Sequence, residues 1–198
     1  MAGIGLYGVY YAKASISDGV LTGYTGGIQT MGKAISASFE PAAANESPLY
    51  ANNGIAEKDA GAGGGGTLTL TLDRLTQDAY ADLYGLTVKA ATVLTSVGGT
   101  GFDYDGDEIG NDVGVAFVKW NQEENSRAHY QAVIFSRVLF NAPSDSYQTL
   151  GESVEWQTPE FSGTVYGGAT TGALPWKKVY DFPSQEACIA FITSYFSA

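Results

Sequence analysis

Five acids crowd the segment FDYDGDEIGNDV: Asp103, Asp105, Asp107, Glu108 and Asp112. Carboxylates at alternate positions are the start of a calcium loop, which needs hard oxygen ligands, a glycine at the sixth position and a bidentate glutamate at the twelfth. Counted from Asp103, the glycine comes early, at Gly106, and no glutamate closes the loop. A solvated acidic turn between strands is expected there, without a metal. Nucleophilic chemistry has equally little to draw on. His129 is the one imidazole, set in Ala128-His129-Tyr130, and no Gly-x-Ser-x-Gly elbow occurs. Cys188 is the one thiol, on the apolar side of a helical pattern, where a buried inert cysteine is expected. Glu152, Glu155 and Glu160 would suit a paired-carboxylate hydrolase, but acids along an amphipathic strand usually form its wet face. The four-glycine run Gly63 to Gly66 lacks the Lys-Ser/Thr of a phosphate loop and reads as a hinge. No enzyme activity and no cofactor are expected.

Composition narrows the classes further. The chain has 198 residues, with 10 Lys plus Arg against 21 Asp plus Glu, for a net charge of −11. So few cations cannot neutralise the phosphates of a gripped nucleic acid. One cysteine rules out a disulfide framework and a Cys/His zinc site. Aromatics at 13% are too many for a disordered acidic tail. No run approaches the length of a membrane span, and the opening MAGIGLYGVYYAK lacks the basic start and apolar core of a secretion signal. A cytosolic origin is expected, and the length fits a single domain over residues 1–198.

The elements that must carry these residues are mostly strands. Tyr7 to Ala14 reads as a strand, followed by a turn at Ser17-Asp18-Gly19 and another strand near Val20 to Tyr24. Ala34 to Glu40 alternates, with Ile35, Ala37 and Phe39 on one face and Ser36, Ser38 and Glu40 on the other. Pro41 to Gly66 has no period and reads as a long loop, with Leu49, Tyr50 and Ile55 as apolar points. Thr67 to Asp73 sends Leu68, Leu70 and Leu72 one way and Thr67, Thr69, Thr71 and Asp73 the other. A short helix follows, capped by Thr76 and stopped by Gly85. Further strands are expected at 87–97, 114–120, 128–140, 151–157 and 161–166, then a C-terminal helix opening at Pro183-Ser184-Gln185-Glu186. The class is mainly β, a sandwich or barrel with one short flanking helix and a C-terminal helix.

Three strands share one pattern: an apolar face, and an opposite face of Ser and Thr ending in Glu40, Asp73 or Glu155. Ordinary solvent faces of antiparallel sheets carry many Lys and Glu. A smooth, sparsely acidic face instead suits a channel wall past which a polyanion slides, because like charge opposes binding.

Four segments then carry a family resemblance: IGLYGVYYAK, GKAISASFEPAAANESPLYANNGIAE, TLTLTLDRLTQDAYADLYG and GESVEWQTPEFSGTVYG. In this order they resemble the major tail proteins of long-tailed bacteriophages, the phi13-type tail tube family. The resemblance implies a β-sandwich-like structural protein of the virion, with subunits forming hexameric rings that stack into a tube for DNA ejection. Partners would be further copies of itself, the tape measure protein, and the tail terminator and distal tail proteins. DNA would pass through the lumen without specific binding, and assembly would occur in the host bacterial cytoplasm. The lumen face would hold Ser36, Ser38, Glu40, Thr67, Thr69, Thr71, Asp73, Ser153 and Glu155. The 41–66 loop would reach the neighbouring ring through Asn45, Leu49, Tyr50, Asn53, Ile55, Gly63 and Gly64. The Asp103 to Asp112 loop and the Gly167 to Pro175 segment are long for the family, and no C-terminal immunoglobulin-like module is expected. A rival of another class is a carbohydrate-binding β-sandwich using Tyr10, Tyr11 and Trp176.

Overall fold

The period-two runs become strands of one large antiparallel sheet. The computed structural model describes residues 2–42, 47–51, 54–59, 64–90, 99–122, 129–142, 149, 158–172 and 174–197. Among these the order is β1 (Ala2–Ser17), β2 (Val20–Gly32), β3 (Ala34–Pro41), β4 (Ser47–Ala51), β5 (Gly54–Asp59), β6 (Gly65–Leu72) and α1 (Gln77–Tyr84). Then come β7 (Lys89–Ala90), β8 (Thr100–Gly101), β9 (Val113–Gln122), β10 (His129–Phe140), β11 (Glu160–Tyr166), a 3-10 turn at Gly168–Thr171, β12 (Lys177–Phe182) and α2 (Gln185–Phe196). The main sheet runs β2-β1-β9-β10-β11-β6-β3, and β12 also pairs with β10. Asp18 and Gly19, both with positive φ, make the tight turn that joins β1 to β2.

β10 is the strand on which the sheet divides. Its first half, Tyr130 to Phe135, pairs with β12; its last residues, Val138 to Phe140, pair with β11. The ladder to β9 slips between Phe135 and Val138, leaving Ser136 and Arg137 at the break. Beyond that break the β11-β6-β3 portion folds back over the rest of the sheet. Leu68, Leu70 and Leu72 of β6 and Phe161 of β11 therefore share one core with Val9 and Tyr11 of β1, Val115 of β9 and Phe135 of β10. Phe39 of β3 reaches to 4.9 Å from the Phe135 ring, ring centre to ring centre, which closes the two layers into a sandwich.

Both helices sit on positions fixed by side-chain size. α2 lies against the other face of β1, β9 and β10, where Ala12, Ala116 and Ala132 leave room for Cys188, Ile192 and Phe196. A side chain at Gly114 would collide with the Phe196 ring, so the helix needs glycine there. Ser184 caps α2 by accepting from the Ala187 amide at 3.2 Å. α1 inserts Ala79, Leu83 and Tyr84 into the sandwich core. Thr76 caps it, and Gly85, with φ of 68°, ends it.

Cys188 is fully buried, and burial pushes its thiol up to about 11. Since only the thiolate reacts, a disulfide reagent at pH 8 is expected to leave the native protein unlabelled and to titrate one thiol in denaturant. Fast labelling without denaturant would contradict this packing of α2.

Several expectations change. β1 and β2 run far longer than their aromatic and apolar runs suggested. Ile35 was expected inside but is 53% exposed, because the β3–β6 register slips between Ala34 and Ser36 and the bulge turns it outward. The 41–66 loop is not structureless: β4 and β5 form a two-stranded sheet of their own within it. β12 was not expected at all. The strand read at 87–97 keeps only Lys89–Ala90, with 91–98 outside the described residues, as is the strand read at 151–157.

Candidate functional site

The hydroxyl-bearing runs come together on neighbouring strands. β6 lies between β11 and β3, and the registers place three rows across them: Glu160, Thr71 and Ser36; Ser162, Thr69 and Ser38; Thr164, Thr67 and Glu40. Alternate residues of the same strands, Phe161, Val165, Leu68 and Leu70, point into the core, which fixes the other parity outward. The strand spacing and rise make this lattice about 10 by 14 Å. Ser36 donates to the Thr71 hydroxyl at 2.8 Å, so the rows are coupled side chain to side chain. The nine positions include no Lys and no Arg, and the two carboxylates, Glu160 and Glu40, stand at diagonally opposite corners. Such a surface hydrogen-bonds water densely and offers a polyanion nothing to pair with.

Six of the expected face residues are therefore neighbours: Ser36, Ser38, Glu40, Thr67, Thr69 and Thr71. Ser153 and Glu155 lie outside the described residues, as does Glu152. Glu160, Ser162 and Thr164 complete the lattice and were not assigned to it, although the alternation in EFSGTVY carries the signal. Asp73, also expected on this face, is not part of these three rows. It stands just past the end of β6, where its Oδ1 accepts from the amides of Lys33 and Arg74, each at 2.8 Å.

Those two amides, Lys33 first, hold the Asp73 carboxyl below its usual value of 3.8. A depressed folded value means stability that is present above the unfolded value and lost as pH falls through the folded one. Asp73→Ala is thus expected to lower the denaturant midpoint at pH 7 and to match the parent near pH 2. An equal loss at both pH values would remove the carboxylate's charge from the explanation.

The expected hinge at Gly63 to Gly66 includes paired strand residues. Gly65 and Gly66 are strand residues of β6, paired with Tyr166 and Val165 on one side, and Gly66 also pairs with Pro41 on the other. Both have positive φ. A Cβ at Gly66 would strike the Glu40 carbonyl, and one at Gly167 would strike Gly64. These glycines allow a close approach of three backbones, so the root of the excursion is clamped. Leu49 and Tyr50 fall in β4 and Ile55 in β5, while Asn45, Asn53 and Gly63 lie outside the described residues.

The acidic loop is held together by its own chain. Lys89 pairs with Asp103 at 3.2 Å and reaches Asp105 at 3.9 Å. Glu108 accepts from the amides of Asp105 and Gly106, and its own backbone amide first, then these two, hold its carboxyl below the ordinary range. With Lys13, Asp82 and Asn111 the loop borders a cleft of about 530 Å³ beside α1. Among the described residues no group of three His, Cys, Asp or Glu is placed to hold a metal ion. Asp112 instead forms a 3.0 Å ion pair with Arg137.

The aromatics proposed for a glycan do not form one platform. Tyr11 is 1% exposed and donates to Asp82 at 2.9 Å. Tyr10 packs with the α2 cluster, and Trp176 packs on Phe39 in the other core. Among the described residues no helix is long and apolar enough to cross a membrane. No family model matches the chain, and no curated protein matches it either.

Proposed function

We propose that this protein is a structural subunit of a phage tail tube, assembling into stacked hexameric rings whose bore conducts DNA. The observation that carries the reading is the three-strand lattice of seven hydroxyls and two carboxylates, free of cations, on a sheet that ends in the one-sided strand β3. Turned toward a bore, it would keep DNA hydrated and moving by offering it no counter-charge. The chain's net charge of −11 acts in the same direction. A strand paired on one side only needs cover, and a neighbouring subunit supplies it.

The excursion between β3 and β6 fits a contact between rings. The 13 residues from Gly54 to Gly66 can span about 40 Å, close to the diameter of a domain of this size. A lone two-stranded hairpin is marginal in water, so β4–β5 gains by docking. Nothing in this role needs a catalyst or a cofactor.

Negative-stain microscopy of the concentrated protein tests the reading. Rings or tubes are expected. A monodisperse monomer at high concentration, retained on a polysaccharide matrix, would defeat it in favour of the glycan-binding alternative.

A further inference from the structure

The two large apolar side chains most exposed among the described residues stand in one loop: Ile109 at 83% and Tyr104 at 62%, both within Asp103 to Asp112. That loop is firmly attached to α1. The Asn111 amide donates to the Leu83 carbonyl at 3.0 Å, and its Nδ2 donates to the Asp82 carbonyl at 2.7 Å. The Tyr104 hydroxyl donates to that of Tyr80 at 2.9 Å, and Phe102 stacks on the Tyr80 ring at 5.3 Å. The Ile109 carbonyl lies so close to Gly85 that a Cβ there would strike it. Fixed in this way at both ends, the loop cannot fold its apolar side chains out of the water. Ile109 lines the cleft beside α1, and Leu86, 8% exposed, lines it too. Apolar groups held in water by a rigid frame are the usual anchors of protein contacts.

We propose that this surface docks a basic segment with apolar side chains from a protein other than a second copy of this chain, an interaction that does not depend on the tube. Charge selects the occupant. Five carboxylates line the cleft, from Asp82, Asp103, Asp105, Asp107 and Glu108, against the ammonium groups of Lys13 and Lys89. Both cations are already engaged, Lys13 with Asp82 at 2.6 Å and Lys89 with Asp103 at 3.2 Å. Asp107 forms no ion pair among the described residues. A border of this sign repels a nucleic acid, and it repels another chain of net charge −11, while it draws in Lys or Arg. An apolar side chain next to those cations then seats against Leu86 and Ile109, burying surface that the loop leaves in water. The cleft volume of about 530 Å³ suits the side chains of a short segment.

Fluorescence anisotropy with labelled synthetic peptides tests the proposal in the full chain. A peptide of alternating Lys and Leu is expected to bind about five-fold or more tighter than a Lys-Gly peptide of the same length and charge, and a Glu-Leu peptide is expected not to bind. Ile109→Ser, and separately Asp105→Asn with Asp107→Asn, should each weaken the Lys-Leu peptide by about five-fold or more. All three side chains are exposed, so these variants keep both cores. Asp18→Asn with Asp181→Asn removes the same charge elsewhere on the surface and should leave the affinity unchanged. Equal affinity for the Lys-Leu and Lys-Gly peptides, or an equal loss in the charge-matched pair, would reduce the binding to the net charge of the whole chain and overturn the site. Self-association of the parent that Ile109→Ser abolishes, read by sedimentation, would give the surface to a second copy and overturn it as well.

Discussion

Deleting residues 45–63 is expected to leave a folded protein that no longer forms tubes. The deletion removes β4 and β5 but keeps the clamped root, where Ala42 donates to the Gly65 carbonyl at 3.1 Å and Pro41 faces Gly66. Ala42 to Ala44 joined to Gly64 makes a four-residue connection between β3 and β6, a common hairpin length. Every described core residue lies outside 45–63, so the unfolding free energy should change by no more than about 0.5 kcal/mol. Sedimentation should then show a monomer, or at most isolated rings, at concentrations where the parent polymerises. Normal tubes from this variant would refute the stacking role of the hairpin.

Asp112→Ala is expected to be the most damaging single substitution at a polar site, costing about 3 kcal/mol. Arg137, only 12% exposed, pairs with Asp112 and donates from Nη1 to the carbonyls of Gly19 at 2.5 Å and Thr170 at 3.2 Å. Its guanidinium also lies 4.6 Å from the centre of the Tyr166 ring. One side chain thus ties the β1–β2 turn, the 3-10 turn, β11 and the end of the acidic loop to β10. Removing the carboxylate leaves a mostly buried cation with its Nε already lacking a partner. Replacing both members with apolar residues, Asp112→Leu with Arg137→Met, should recover much of the loss because no charge is then stranded. Denaturant titrations of the three proteins decide it: a single-variant loss below about 1 kcal/mol would show the pair to be dispensable.

The readings that succeeded rest on local rules. Leu68, Leu70 and Leu72 alternate with threonines, and a strand with one wet face can satisfy that pattern only one way. Thr76 and Gly85 mark α1 because capping depends on residues within one turn. The misread positions depend on partners distant in sequence. Ile35 keeps the parity of a buried residue, but the bulge that exposes it arises in the pairing of β3 with β6, more than thirty residues downstream. Gly65 and Gly66 look like hinge residues, yet they serve a close approach to Gly167 and Pro41 that one strand's sequence cannot reveal. Pro48 and the slip between Leu49 and Tyr50 break the period of the small hairpin, which hid β4 and β5. The lattice was half legible: β3 and β6 announced their hydroxyl faces, while β11 joined them only through its register.

The break in β10 has a mechanical side. Ser136 and Arg137 form the joint at which the lattice-bearing strands turn away from the helix-covered part of the sheet. That joint is pinned rather than loose: the Ser136 amide donates to the Trp176 carbonyl at 3.0 Å, its carbonyl accepts from Tyr24, and its hydroxyl meets Tyr195 at 2.9 Å. The tilt of the β11-β6-β3 strands is thus set at two residues instead of being spread along a strand. In a closed ring, a small change in that angle repeats in every subunit and sums around the circumference. On the proposed tube reading, bore width would then be set by the side chains holding one corner.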